Sequence, residues 1–270
     1  MRYAMKNYFV ALAFTALFLP VACACGTPEP ARSGDGDPLP GNPGAKSYKN
    51  PVFREFLVAD PTVIRAEDGN FYLYATESGK NNIPILRSSD LVNWTKVGEV
   101  FTAENHPQIT DKAGANLWAP DINKIGDRYV LYYSQPGENN KHAIGVASGP
   151  SPVGPFTDHG KLIGSDEIGV DISIDQFYIE EDGYKYMFWG SFRGIWAIEL
   201  ADDGLSLKPG AGKRKIAGDQ YEGTYIHKRD GYYYLIVSTG DFMKDYHVVV
   251  GRSRSLMGPY VDRAGRDMLG

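Results

Sequence analysis

Four times along this chain a short apolar run breaks at an aspartate-glycine or glycine-aspartate pair and resumes as a run rich in tyrosine. The glycines are Gly69, Gly126, Gly183 and Gly231, spaced 57, 57 and 48 residues. Three residues after each stands a tyrosine (Tyr72, Tyr129, Tyr186, Tyr234), within FYLYATE, YVLYYSQ, YKYMFWGS and YYYLIVST. Aromatic and β-branched runs of this length read as strands, and the acid-glycine pairs read as hairpin turns. Helical periodicity is absent, so the expectation is all-β. A repeat of roughly 50 residues, each a small antiparallel sheet, indicates propeller blades. They are placed at about 53–100, 117–163, 171–216 and 221–261. Eight or nine residues before each glycine, at the head of the preceding strand, stand Asp60, Trp118, Asp175 and Glu222. Equivalent positions of successive blades face one axis, so these four are expected to converge.

Three of the four are acids. Buried carboxylates are rare without a partner or a task. One acid at a strand head reads as a turn former, whereas three at matched positions read as a site. Hydrolysing a glycosidic bond needs one carboxylic acid to protonate the leaving oxygen and one carboxylate to activate water or attack, roughly 6.5–9.5 Å apart for inversion. A third acid beside the first raises its pKa by like-charge repulsion. Trp118, Trp189, Phe192 and Tyr225 gather at the same end and offer flat faces to sugar rings, although sheet packing is the plainer reading of Trp189. The five histidines (His106, His142, His159, His227, His247) show no ligand spacing, and no nucleophile elbow, P-loop or dinucleotide fingerprint appears. Asp166, Glu167 and Asp171 read as loop acids and Asp121 as structural.

Composition sets the compartment. With 270 residues, 43% of them hydrophobic, the chain can bury one sizeable β-domain. A net charge of −5 speaks against a nucleic-acid partner. Arg2 and Lys6 precede an apolar run over 8–22, followed by Cys23 and Cys25. That pattern predicts an export signal over 1–25, of lipoprotein type with Cys23 acylated; an ordinary cleaved signal is the alternative. The protein is thus expected to be exported, at the periplasmic or cell surface through a lipid anchor, or else secreted. The two cysteines are too close for easy disulfide geometry. Residues 26–51, rich in Pro and Gly, read as a flexible linker, leaving 52–270 as the folded domain.

From about residue 51 onward the chain resembles glycoside hydrolase family 43. The resemblance is carried by ADP at 59–61, WAPDI at 118–122, SID at 173–175, GSFRGI at 190–195 and EGTYIHKRDGYYYLIVS at 222–238. GSFRGI, together with VVVGRSRSLMGPYVD at 248–262, is most similar to the endo-1,5-α-L-arabinanase branch. The resemblance implies a five-bladed β-propeller that hydrolyses arabinose- or xylose-containing plant cell-wall polysaccharide with inversion. It gives Asp60 the place of general base, Glu222 that of general acid and Asp175 that of the tuning acid, with Trp118, Ser191, Phe192 and Tyr225 near the sugar groove. No cofactor is required by that chemistry, although the family's fifth blade carries a His tied to a central calcium or water site. Ala59, Ile172 and Gln176 depart from the usual His, Asn and Pro. Only four blades are legible, so the expectation is a fragment of a monomeric five-bladed enzyme, poorly active alone; a true four-bladed propeller is the alternative. Exo-acting arabinofuranosidase or xylosidase activity, and a non-catalytic glycan-binding propeller, stay open beside the endo-arabinanase reading.

Overall fold

The computed structural model describes residues 48–270, apart from residue 242. The expected signal with Cys23, and the linker up to residue 47, lie outside the described residues.

Four antiparallel sheets follow one another along the chain, each a meander from one inner strand outward. Blade one comprises β1 (Thr62–Arg65), β2 (Phe71–Tyr74), β3 (Pro84–Ser88) and β4 (Thr95–Glu99). Blade two comprises β5 (Trp118–Ile125), β6 (Arg128–Gln135), β7 (Ala143–Gly149) and β8 (Thr157–Gly164). Blade three holds β9 (Phe177–Glu181), β10 (Tyr184–Trp189), β11 (Ile195–Glu199) and β12 (Arg214–Ala217). Blade four holds β13 (Glu222–Arg229), β14 (Tyr232–Thr239) and β15 (His247–Ser253), extended by single bridges from Val261 to Arg252 and Asp267. Among the described residues two short helical turns, a 3-10 turn at Glu138–Asn140 and α1 (Ser165–Ile168), are the exceptions to the all-β expectation.

The inner hairpins turn where the glycines predicted. Asp182-Gly183 and Asp230-Gly231 both have positive φ, the type I′ geometry whose twist matches paired strands. Stability comes from apolar faces pressed between consecutive blades. Tyr74, Ile85 and Phe101 pack on Leu131 and Tyr133 between blades one and two. Tyr132 and Val146 pack on Met187 and Trp189 between two and three, and Phe188 and Ile195 on Leu235 and Val237 between three and four. Alternate residues of β6 thus serve different seams: Leu131 and Tyr133 one, Val130 and Tyr132 the next. This is the period of two working on both faces of a buried sheet. Trp189 is fully buried and donates its indole N–H to Ser173 Oγ (3.1 Å), so its role is packing.

Inner strands β1, β5, β9 and β13 are neighbours in that order. That arrangement brings the strand heads together.

Candidate active site

The matched strand heads are shifted from their expected alignment in two blades. Asp60, Ala119, Asp175 and Gly223 share a left-handed backbone, with φ of 49°, 39°, 59° and 61°. Blades one and three therefore present their acid at the bend itself. In blades two and four the bend falls one residue later, leaving Trp118 and Glu222 as the first residues of β5 and β13. The cause is a bulge in each: pairing slips between Trp118 and Asp121, and between Glu222 and Tyr225. Asp tolerates the left-handed region, and Gly223 enters it without a Cβ penalty.

Asp60 and Asp175 border one cleft of about 630 Å³, with Gln176, Tyr225, Ser238 and Tyr246 also on its wall. Glu222 reaches the same cluster. Desolvation, then the negative charges of Glu222 and Asp60, push Asp175 up to about 8, against a Gly223 N–H that its carboxyl accepts. Asp175 is half-buried and Asp60 is exposed. At neutral pH the cluster therefore keeps a proton on Asp175.

Each head is fixed by a hydroxyl at the end of a second strand. Thr76 Oγ1 donates to Asp60 Oδ2 (2.5 Å) and accepts the Ala119 N–H of the next blade (2.9 Å). Ser134 Oγ accepts the Asp175 N–H (3.1 Å) across the next seam and donates to Gln176 Oε1 (2.7 Å). Ser191 Oγ donates to Glu222 Oε2 (2.6 Å) across the third. These hydroxyls close the runs FYLYATE, YVLYYSQ and YKYMFWGS. A Ser or Thr recurring at that place was a readable signal for them.

Other expected residues fall differently. Ser191 is buried beneath Glu222, so it holds the acid instead of lining the groove. Trp118 packs edge-on against His142, ring centres 6.2 Å apart, and neither Trp118 nor Phe192 borders the acid cleft. Tyr225 does border it, half exposed against Phe177. Asp121 is buried, accepts the Tyr178 N–H (2.7 Å), and is raised to about 6 by burial; it ties blade two to blade three. Asp166 and Glu167, expected in a loop, stand in the helical turn α1 and pair with Lys141 and Lys161.

Tyr246 was missed, because it stands in the β14–β15 loop and has no counterpart in the repeat. Burial, and hydrogen bonding to Glu222, push its phenol up to about 12, so it remains a donor facing Glu222 and Ser238. The departure at Gln176 also has a role. Buried, it bridges Ser134 Oγ and the Ala119 carbonyl, joining blades two and three beneath Asp175. Gln176→Ala takes the acceptor from the Ser134 hydroxyl proton and the donor from the Ala119 carbonyl, and is expected to cost about 1–3 kcal/mol, read by thermal or urea unfolding.

Among the described residues no group of three or more His, Cys, Asp or Glu has metal-holding geometry.

The sequence profile of Glycosyl hydrolases family 43 matches residues 48–270. The chain is 34% identical over 229 residues to an extracellular endo-α-(1→5)-L-arabinanase of Bacillus subtilis, covering 79% of this chain and 70% of that protein. The solved structure of an endo-arabinanase from Bacillus licheniformis superposes with a TM-score of 0.68 at 29% identity, over 82% of this chain and 79% of the other. An exo-1,5-α-L-arabinanase from a bovine ruminal metagenomic library superposes at 0.66 with 30% identity, over 78% and 75%.

Proposed function

The chain belongs to glycosyl hydrolase family 43 and is a glycosidase, and from that premise we propose that it cleaves α-1,5-linked L-arabinan with inversion. The observation that carries this reading is the convergence of Asp60 and Asp175 on one cleft with the charge of Glu222 beside Asp175, each acid fixed by a hydroxyl. In the proposed reaction Asp60 is the general base. Thr76 occupies its Oδ2, leaving Oδ1 to take a proton from a water attacking the anomeric carbon. Glu222 is the general acid. Ser191 occupies its Oε2, leaving Oε1 to deliver a proton to the departing sugar oxygen. Asp175, on which burial and the charges of Glu222 and Asp60 hold a proton, is the third carboxyl beside the acid and keeps that proton within the cluster. Tyr225, on the cleft wall, offers an aromatic face to a furanose ring.

Product analysis tests both parts. Linear arabinan is expected to be cut at internal bonds to oligosaccharides of mixed length, while xylan and aryl xylosides are cut far more slowly. Release of a single small product from the chain end would instead support exo action, which the similarity to an exo-arabinanase keeps in view. The first product seen by NMR should carry the inverted anomeric configuration. Retention would remove the base-and-water assignment of Asp60.

A further inference from the structure

Three cations, Arg193, Lys213 and Lys215, are tied to one indole, Trp196 of blade three, outside the residues that line the acid cleft. Arg193 follows Phe192 in the loop after β10, two residues from the Ser191 hydroxyl bonded to Glu222. Its exposed guanidinium gives one N–H to the Phe192 carbonyl (2.7 Å). Trp196, near the start of β11, donates its indole N–H to the Arg193 carbonyl (2.9 Å) and so pins the loop. Over that indole stand two ammonium groups, Lys213 Nζ at 5.5 Å and Lys215 Nζ at 5.9 Å from the ring centre. Lys215 lies opposite Trp196 in the β11–β12 register. A Cβ on Gly194, at φ +85°, would come within 2.3 Å of Lys215 Cε, so the loop passes the lysine stem at a distance that glycine permits. Lys215 pairs with Asp219 (2.6 Å). Among the described residues, neither Arg193 nor Lys213 has a carboxylate partner. In a chain of net charge −5, this is a local reversal of sign.

We propose that this cluster is a binding site for the carboxylate of an acidic glycan, a uronate carried by the same polysaccharide whose neutral stretch is cut in the cleft. The proposal rests on the glycosidase reading above and specifies its substrate. A guanidinium presents a planar fork that matches a carboxylate, and ammonium groups held over an indole keep their charge near the surface with little freedom to lose. Position selects a glycan over other polyanions, since the cluster continues from the loop that bears Ser191 and Phe192. A membrane surface or nucleic acid calls for a broader basic field than three side chains. Because the cations lie outside the acid cluster, the uronate they hold sits beside the cleaved segment, not in it.

The test uses the full chain, wild type and Arg193→Gln/Lys213→Gln. Both are titrated calorimetrically with trigalacturonate and with neutral arabinotriose, and both are assayed on neutral linear arabinan. Trigalacturonate is expected to bind wild type and to weaken roughly threefold to tenfold in the double variant, the loss of two exposed charge contacts. The same weakening should follow when NaCl is raised to about 0.3 M. Arabinotriose binding and neutral arabinan turnover should stay within about twofold, and the charge-keeping Arg193→Lys/Lys213→Arg pair should retain binding. Equal trigalacturonate affinity in both proteins, no binding by wild type, or indifference to salt overturns the site. Failure to hydrolyse neutral arabinan would overturn the functional reading instead, and the titration would still decide the site.

Discussion

Asp60→Asn is expected to lower arabinan hydrolysis by about three orders of magnitude, with the loss as large on an aryl arabinofuranoside as on the polymer. The reason is the place of Asp60 in the proposed reaction: water must be activated whatever the leaving group. Glu222→Gln should cause a comparable loss on arabinan, where the departing sugar oxygen needs a proton. With a nitrophenolate leaving group that need largely disappears, and turnover should recover by about tenfold to a hundredfold relative to the polymer. Neither change should unfold the protein, because amide oxygens can still accept from Thr76 and Ser191. Equal losses for both variants on both substrates would contradict the division of roles, and unchanged activity in either would remove that residue from the mechanism.

Asp175→Asn is expected to act in opposite directions on stability and activity. The native carboxyl holds its proton up to about pH 8, whereas an unfolded Asp releases it near 4. Between those values the native state binds more protons than the unfolded chain, so stability falls as pH rises through that window. Asp121, raised to about 6, adds to the slope with the same sign. An Asn at 175 keeps the Gly223 N–H acceptor and has nothing to ionise. Its melting temperature should exceed the parent's at pH 9 by roughly 4 °C, the shift that 1–2 kcal/mol gives in a domain of this size, and match it near pH 4. Activity should drop, and the alkaline limb of the pH–rate profile should move to lower pH, because the cluster loses the carboxyl that holds its proton up to about pH 8. Parallel pH–melting curves for the two proteins would show that Asp175 is ionised throughout.

The repeat was legible because hairpin turns are local. Asp182-Gly183 and Asp230-Gly231 announce their geometry within two residues, and the period of two in β6 marks a sheet buried on both faces. The alignment of strand heads was less legible, since a bulge adds a residue without a composition signal. Trp118 and Glu222 were therefore treated as equivalents of Asp60 and Asp175 when the backbone places Ala119 and Gly223 there. Ser191 read as groove lining because the chain shows its neighbours in sequence, while its partner Glu222 lies 31 residues on. Gln176 read as a departure from the usual Pro, yet its amide joins two blades, a contact that exists only once the blades are stacked. Tyr246 could not be found by repeat logic at all, since its loop belongs to one blade only.

The hydroxyls at the ends of the second strands have a bearing on how such a molecule could have arisen. Ser134 belongs to the blade before the one that carries Asp175, and Ser191 to the blade before the one that carries Glu222. Copied or exchanged as a unit, blade three or blade four would bring its acid but leave behind the group that aims it, whereas Asp60 takes its hydroxyl from Thr76 of its own blade. Such a copied blade would bring a hydroxyl suited to whatever follows. Duplication therefore yields working heads only where the upstream copy already ends in Ser or Thr, as FYLYATE, YVLYYSQ and YKYMFWGS do. In two of its three acid–hydroxyl pairs the site thus straddles unit boundaries, and a recombined propeller should be cut inside those blades, not between them.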